Sequence, residues 1–218
     1  MDDPALDPAE HRRALAGLAR INRVTGSAGV LWKPIRTLAR QLNGRPLRVL
    51  DVACGSGDVA VALARYAGRA GVSLSADGCD ISPMAVANAA ETTAAARFFV
   101  HDVIRDPLPT GYDVVACSLF LHHLSDADAV VVLARMKAAA GWLVLVNDLA
   151  RSRFNLAAVW VACHGLSRSR VVRYDGPASV RSAFTPHEAL TLAERSGLAG
   201  ATVAGRWPCR YLLQWRRT

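Results

Sequence analysis

The run Arg48-Val49-Leu50-Asp51-Val52-Ala53-Cys54-Gly55-Ser56-Gly57-Asp58 decides how the rest of this 218-residue chain is read. Val49 to Ala53 is a short apolar strand, and Gly55-Ser56-Gly57 is a tight turn, where glycine permits backbone that other residues resist. Asp58 then opens a helix with apolar positions at Val59, Leu63 and Tyr66. Strand, glycine turn and helix in this order begin an α/β unit, whose ligand lies beyond the carboxyl ends of the strands.

The alternation continues downstream. Val72 to Cys79 reads as a strand, and Ser82 and Pro83 supply the cap and first residue of a helix. Further strands are expected at Arg97 to His101, Asp113 to Ser118 and Gly141 to Val146, with a helix from Ser125 to about Ala139. Short strand–helix units predict a parallel sheet with helices on both faces. Segment 151–184 breaks this rhythm with an apolar stretch, Leu156 to Cys163, in an arginine-rich frame. Thr185-Pro186-His187-Glu188 is a capping box for a helix stopping at Gly197, and strands at Ala201 to Arg206 and Tyr211 to Trp215 close the chain. Upstream, residues 1–44 read as two helices, the second from about Gly29 to Leu42. The whole chain is expected to form one domain: a helical cap (1–44), a core (45–150), an insertion (151–184), and a final helix with two strands (185–218).

Composition narrows the functional classes. At 52% hydrophobic and 20% charged the chain can bury a large core, which excludes global disorder. No apolar run approaches the roughly 20 residues that span a bilayer, and the acidic start Met1-Asp2-Asp3-Pro4 lacks a signal pattern, so a cytoplasmic location is expected. Cys54, Cys79, Cys117, Cys163 and Cys209 form no CxxC pair, so neither a metal site nor disulfides are expected. The net charge of +8 is uneven. Residues 1–150 hold 15 basic and 15 acidic side chains, whereas 151–218 hold 11 arginines and three acids. Either a solvated arginine face or an anionic partner accounts for that excess.

Taken as Gly55-x-Gly57-x-x-Ala60, the turn also fits a dinucleotide fingerprint, but charge argues against it. A pyrophosphate needs a helix N-terminus free of negative groups, and here Asp58 starts the helix while Asp51 lies in the strand. Two carboxylates suit a ligand that carries an ammonium and a sulfonium.

In residues 49–58, in Cys79-Asp80-Ile81-Ser82-Pro83, in Phe99-Val100-His101-Asp102, and in Tyr112-Asp113-Val114-Val115 running to Leu121-His122-His123-Leu124, the chain resembles the class I S-adenosylmethionine-dependent methyltransferases. The flavour is similar to the quinone-biosynthesis-type small-molecule enzymes. The resemblance implies a Rossmann-like α/β fold with a seven-stranded sheet, mostly parallel, its last strand antiparallel. It implies S-adenosylmethionine as cofactor and S-adenosylhomocysteine as product. Ala53, Cys54, Gly55 and Gly57 would then pass under the methionine part, with Asp51 and Asp58 nearby. Asp80 would take the ribose hydroxyls, Ile81 the adenine face, Asp102 and Val103 the adenine edge, and Ser118 and Leu119 the neighbourhood of the sulfonium.

A base for the acceptor belongs just after the fourth strand, where His122 and His123 stand; both are candidates, for proton transfer or for packing. The substrate chamber should come from 1–44 and 151–184, with Arg20, Arg23, Trp32, Arg151, Trp160, His164 and Tyr174 as candidate lining. An apolar chamber with arginine at its mouth points to O-methylation of an aromatic or polyketide-like small molecule. An RNA or protein acceptor, bound through the arginine-rich third, and a non-catalytic cofactor-binding module are the alternatives. A monomer or homodimer is expected.

Overall fold

A computed structural model describes residues 26–93, 95–166 and 170–217, without the side chains of 164–172. The first of the two expected N-terminal helices, with Arg20 and Arg23, lies outside those residues. The elements run α1 (Ser27–Gln41), β1 (Leu47–Val52), α2 (Asp58–Arg69), β2 (Leu74–Asp80), α3 (Pro83–Thr92), β3 (Phe98–Val100), β4 (Tyr112–Ser118), a 3-10 turn (Leu121–His123), α4 (Asp126–Ala139) and β5 (Ala140–Leu149). They continue with α5 (Arg153–Leu166), α6 (Arg170–Ser182), α7 (Pro186–Arg195), β6 (Thr202–Arg206) and β7 (Arg210–Arg216).

The seven strands form one sheet in the order β3-β2-β1-β4-β5-β7-β6. Every pair among β1 to β5 is parallel, and β7 runs antiparallel to both β5 and β6. The strand order reverses between β1 and β4, and in open α/β sheets ligands bind beyond the carboxyl ends of the strands at such a switch point. Side chains alternate across the sheet as the pleat requires. Val49, Val114, Leu145 and Leu212 meet Leu31, Ile35, Val59 and Leu63 of α1 and α2 on one face. Leu50, Val115, Val144, Val146 and Leu213 meet Leu133 and Met136 of α4 and Leu192 of α7 on the other. Each fully buried leucine or valine contributes about 1.5–3 kcal/mol, so the two layers fix the sheet's edge as a rigid platform.

Local capping chemistry places the helix starts. Ser82 Oγ accepts from Ala85 N, Ser125 Oγ from Asp128 N, and Thr185 and Glu188 form the reciprocal box at the head of α7. Strand β5 runs three residues beyond the expected Val146, through Asn147, Asp148 and Leu149, because β7 pairs with all three. The insertion is a helix pair, α5 and α6, and α6 packs against the 3-10 turn at 121–123. Gly176 lets α5 approach closely, since a Cβ there would lie 2.5 Å from Cys163 Sγ.

Candidate active site

The turn after β1 is built from left-handed backbone. Ala53, Gly55 and Gly57 have φ of 55°, 54° and 73°. For Ala53 that conformation costs about 1–2 kcal/mol. Cys54 N donates to Cys79 O at 3.0 Å and Gly57 N to Cys54 O at 2.9 Å, so the turn is tied to β2 and closed on itself. The two glycines differ in surroundings. A Cβ on Gly57 would lie 2.7 Å from the Phe98 ring, whereas a Cβ on Gly55 would meet nothing within 4 Å. Gly57 admits β3 against the turn; Gly55 faces open space.

Asp51 lies beneath this turn, 2% exposed, with Oδ2 buried and without a hydrogen-bond partner. Burial, reinforced by the charges of Asp58 and Asp80, pushes its carboxyl well above the usual range. A buried acid without a cation is an incomplete arrangement. Asp80, at the end of β2, accepts from Gly55 N through Oδ2 and from Ser82 N through Oδ1, both at 2.9 Å, and so holds the turn to the next helix. Ile81 beside it is 63% exposed, an apolar side chain facing outward on the open edge. Asp102 Oδ1 accepts from Ile104 N and Arg105 N, and its other oxygen lies 3.5 Å from Arg105 Nε. Asp102 therefore caps its own loop. Val103 is buried, and its carbonyl accepts from Arg135.

At the end of β4 the chain turns through Leu119, whose φ of 56° is again left-handed. Leu119 N donates to Asn147 O, and Asn147 Nδ2 donates to Ser118 Oγ, both at 2.9 Å. Asn147 Oδ1 is buried without a partner. The 3-10 turn then presents both histidines. His122 is 6% exposed, and its Nδ1 lies 2.6 Å from Oδ1 of Asp148, which has no exposure at all. His123 is exposed, its ring centroid 4.1 Å from that of His122.

Four residues at this edge escaped the sequence reading: Asn147, Asp148, Arg210 and Tyr211. Tyr211 is the cross-strand partner of Asp148, with a buried hydroxyl lacking a partner. Arg210 is 4% exposed, donates to Ser27 Oγ, and is held down to about 10 by burial, against the opposing charge of Asp148. A polar pair following an apolar run in Val146-Asn147-Asp148 was the available signal, and it reads as a strand end.

Two expected lining residues have partners within the fold. Trp32 packs against Tyr66, ring centroids 6.3 Å apart, between α1 and α2, because the apolar stripe of α1 faces α2 at that height. Arg151 pairs with Glu188 of α7 and donates its backbone N–H to Phe184 O, so its guanidinium staples the insertion to the last helix. Trp160 and Tyr174 are exposed on α5 and α6, and Phe154 with them; the side chain of His164 lies outside those described. The arginine excess is partly internal: Arg217 donates to the carbonyls of Lys137 and Ala140, and Arg210 is buried. Burial pushes the thiol of Cys79 up to about 12 and those of Cys54 and Cys117 up as well, which suits none of them to nucleophilic work. Among the described residues no cluster of three His, Cys, Asp or Glu could hold a metal ion, and no helix is long and apolar enough to cross a membrane.

Residues 49–140 match the family model described as a methyltransferase domain. No curated protein matches the chain in sequence. Among solved structures, plantazolicin methyltransferase BpumL in complex with a triazolic desmethyl analogue and S-adenosylhomocysteine superposes with a TM-score of 0.71 at 13% identity, covering 96% of this chain and 91% of that one. Human N-acetylserotonin methyltransferase with S-adenosylmethionine gives 0.69 at 17%, over 97% and 56%. Magnesium protoporphyrin IX methyltransferase from Synechocystis PCC 6803, with S-adenosylhomocysteine, gives 0.60 at 17%, over 99% and 90%. Against several larger neighbours the chain spans only 50–60% of their length. At these identities the structural likeness establishes the fold. The match to a methyltransferase domain spans residues 49–140, and the fold around it is the Rossmann-like, seven-stranded one of these solved methyltransferases. The orphaned oxygen of Asp51 and the open ground before Gly55 fit S-adenosylmethionine, whose ammonium would supply the cation that this corner lacks.

Proposed function

We propose that the protein transfers a methyl group from S-adenosylmethionine to an oxygen of a small, hydrophobic acceptor of aromatic or polyketide-like type. The observation that carries this reading is the helix pair α5–α6, which presents Phe154, Trp160 and Tyr174 and packs by α6 onto the turn bearing His122 and His123. An apolar ring-bearing molecule is what such a surface beside two imidazoles accommodates.

The cofactor supplies an electrophilic methyl group on a good leaving group; the protein must align the acceptor, exclude water and take a proton. In this reading Asp51 receives the ammonium of the methionine part, with Asp58 adding negative potential. The backbone of 53–57 lies against that part. Asp80 offers its remaining lone pairs to the ribose, Ile81 covers one face of the adenine, and Asp102 with the Val103 amide meets its edge. Ser118 and Leu119 border the transferring methyl, and a histidine of the 121–123 turn takes the hydroxyl proton.

The test is a panel of phenols, catechols and alkylresorcinols with isotopically labelled cofactor. Label on at least one phenolic oxygen is expected. Label only on RNA or protein would contradict the reading.

A further inference from the structure

The chain between β3 and β4 lines a cavity of about 310 Å³ on the flank of the sheet. Its walls start at Arg48 and Tyr112, near the amino ends of β1 and β4. Along β4 Tyr112 lies about 20 Å from Ser118, at about 3.3 Å per residue, so this end of the cavity is far from the carboxyl edge. Arg97, Phe99 and His101 alternate through β3 and share the face that lines it. Both guanidiniums lie over rings, Arg48 4.7 Å from the centroid of Tyr112 and Arg97 5.3 Å from that of Phe99. A guanidinium stacked by its face keeps its N–H edge for an acceptor. Asp77 does not fill that role for Arg97. Its Oδ1 accepts from the Arg97 backbone N–H, and its Oδ2 accepts from the Tyr112 hydroxyl and lies 3.7 Å from Arg48 Nη2. Among the described residues no carboxylate lines the cavity. Burial and the bond to Asp77 push the Tyr112 hydroxyl up to about 12, so it adds no negative charge to the wall. His101 Nε2 is buried without a hydrogen-bond partner, its ring edge-on to Phe99 at 6.1 Å. A cationic, ring-lined cavity with an unanswered imidazole nitrogen is built to be completed from outside.

We propose that this cavity is a second binding site, separate from the crevice at the carboxyl edge, and that it takes a small planar aromatic carboxylate. The carboxylate meets the N–H edge of Arg97, whose planar fork matches its two oxygens, and Arg48 adds positive charge. His101 donates to the same group through Nε2–H, a role open to it in one neutral tautomer and in the cation. The ring of the ligand lies among Phe99 and the flat apolar faces of Pro107 and Pro109. Size limits the occupant. The cavity stands at the lower end of the range of ligand clefts, which suits one or two fused rings and excludes a dinucleotide. The ring and the charge are both required: an inorganic anion leaves the aromatic walls uncovered, and an uncharged ring leaves Arg97 unanswered. The site stands independently of the methyl-transfer reading.

The test is a titration of the full chain, labelled with nitrogen-15 histidine, with benzoate at constant ionic strength. The ring resonance of His101 is the one missing from His101→Gln. It should move with a Kd of about 10 mM or tighter, and saturation with S-adenosylhomocysteine should leave that Kd within about twofold. Arg97→Gln keeps the backbone bond to Asp77 and should weaken benzoate by about tenfold or more. Benzamide, with the same ring and no charge, should bind about tenfold or more weakly to the unaltered chain. Cyclohexanecarboxylate, with the charge and no aromatic face, should lose about threefold or more. A His101 resonance unmoved at about 50 mM benzoate would overturn the proposal. So would equal affinity for benzoate and benzamide, equal affinity in Arg97→Gln, or displacement of benzoate by S-adenosylhomocysteine, which would put the ligand in the crevice. Equal affinity for cyclohexanecarboxylate would overturn the requirement for an aromatic ring. Should Arg97→Gln fail to fold, the benzoate and benzamide comparison on the unaltered chain decides.

Discussion

Two buried aspartates stand on the same edge of one sheet and meet opposite fates. Asp51, on β1, has an oxygen with no partner and is driven toward its neutral form by burial and by two neighbouring acids. Asp148, on β5, is buried even more completely yet accepts from three donors, two of them on His122. The side chain is the same; only the neighbours differ. The β1 end leaves a carboxylate oxygen without a partner, while the β5 end is self-sufficient and holds the His122 imidazole in place.

The largest effect expected from breaking that contrast lies in the turn above Asp51. Gly57→Ala combines left-handed strain with a clash against Phe98 and should destabilise the fold by about 3 kcal/mol. Gly55→Ala, with open space before it, should cost only about 1 kcal/mol. Urea midpoints of the two variants compare them directly; equal losses would mean that the Phe98 contact relaxes freely.

Next in size is Asp51→Asn, which removes the unpaired acid. Affinity for S-adenosylmethionine should fall by about tenfold or more, since a charge-assisted hydrogen bond is worth about 1.5–3 kcal/mol. Stability should move the other way. A carboxyl whose folded pKa is raised contributes stability below its unfolded value, near 4, and loses it as pH rises toward the folded value. Wild-type stability should therefore carry a downward component above about pH 4 that the asparagine variant lacks. Thermal melts from pH 4 to 8 check the sign; identical profiles would mean that Asp51 finds a partner in solution.

The smallest effects lie at the clamp between insertion and last helix. Thr185→Ala should cost about 1 kcal/mol by opening the capping box. Glu188 is held below its usual range, first by the backbone bond at Thr185, so its contribution is present above its unfolded value and is lost as pH falls through the folded one. Arg151→Ala, removing an exposed partner, should cost under about 1 kcal/mol.

Much of this architecture was legible because it is local. All seven strands lie where apolar runs place them, and Ser82, Ser125, Thr185 and Glu188 begin helices through bonds to residues three positions away. What escaped is long-range. Asn147 and Asp148 end an apolar run and look like the start of a loop, yet β7, more than 60 residues on, keeps both in the sheet. Asp148 thereby comes to face His122, 26 residues earlier in the chain. The surroundings of Trp32 and Arg151 escaped for a related reason: residue type shows that a ring or a guanidinium is available, but Tyr66 and Glu188 decide what each one touches.

Calorimetric titration of the full chain with S-adenosylhomocysteine, alongside an identical titration with NADH, tests the central claim most directly. The expected result is one-to-one uptake of the thioether nucleoside, weakened in Asp51→Asn, with no heat from NADH. Tight NADH binding together with indifference to S-adenosylhomocysteine and S-adenosylmethionine would contradict it.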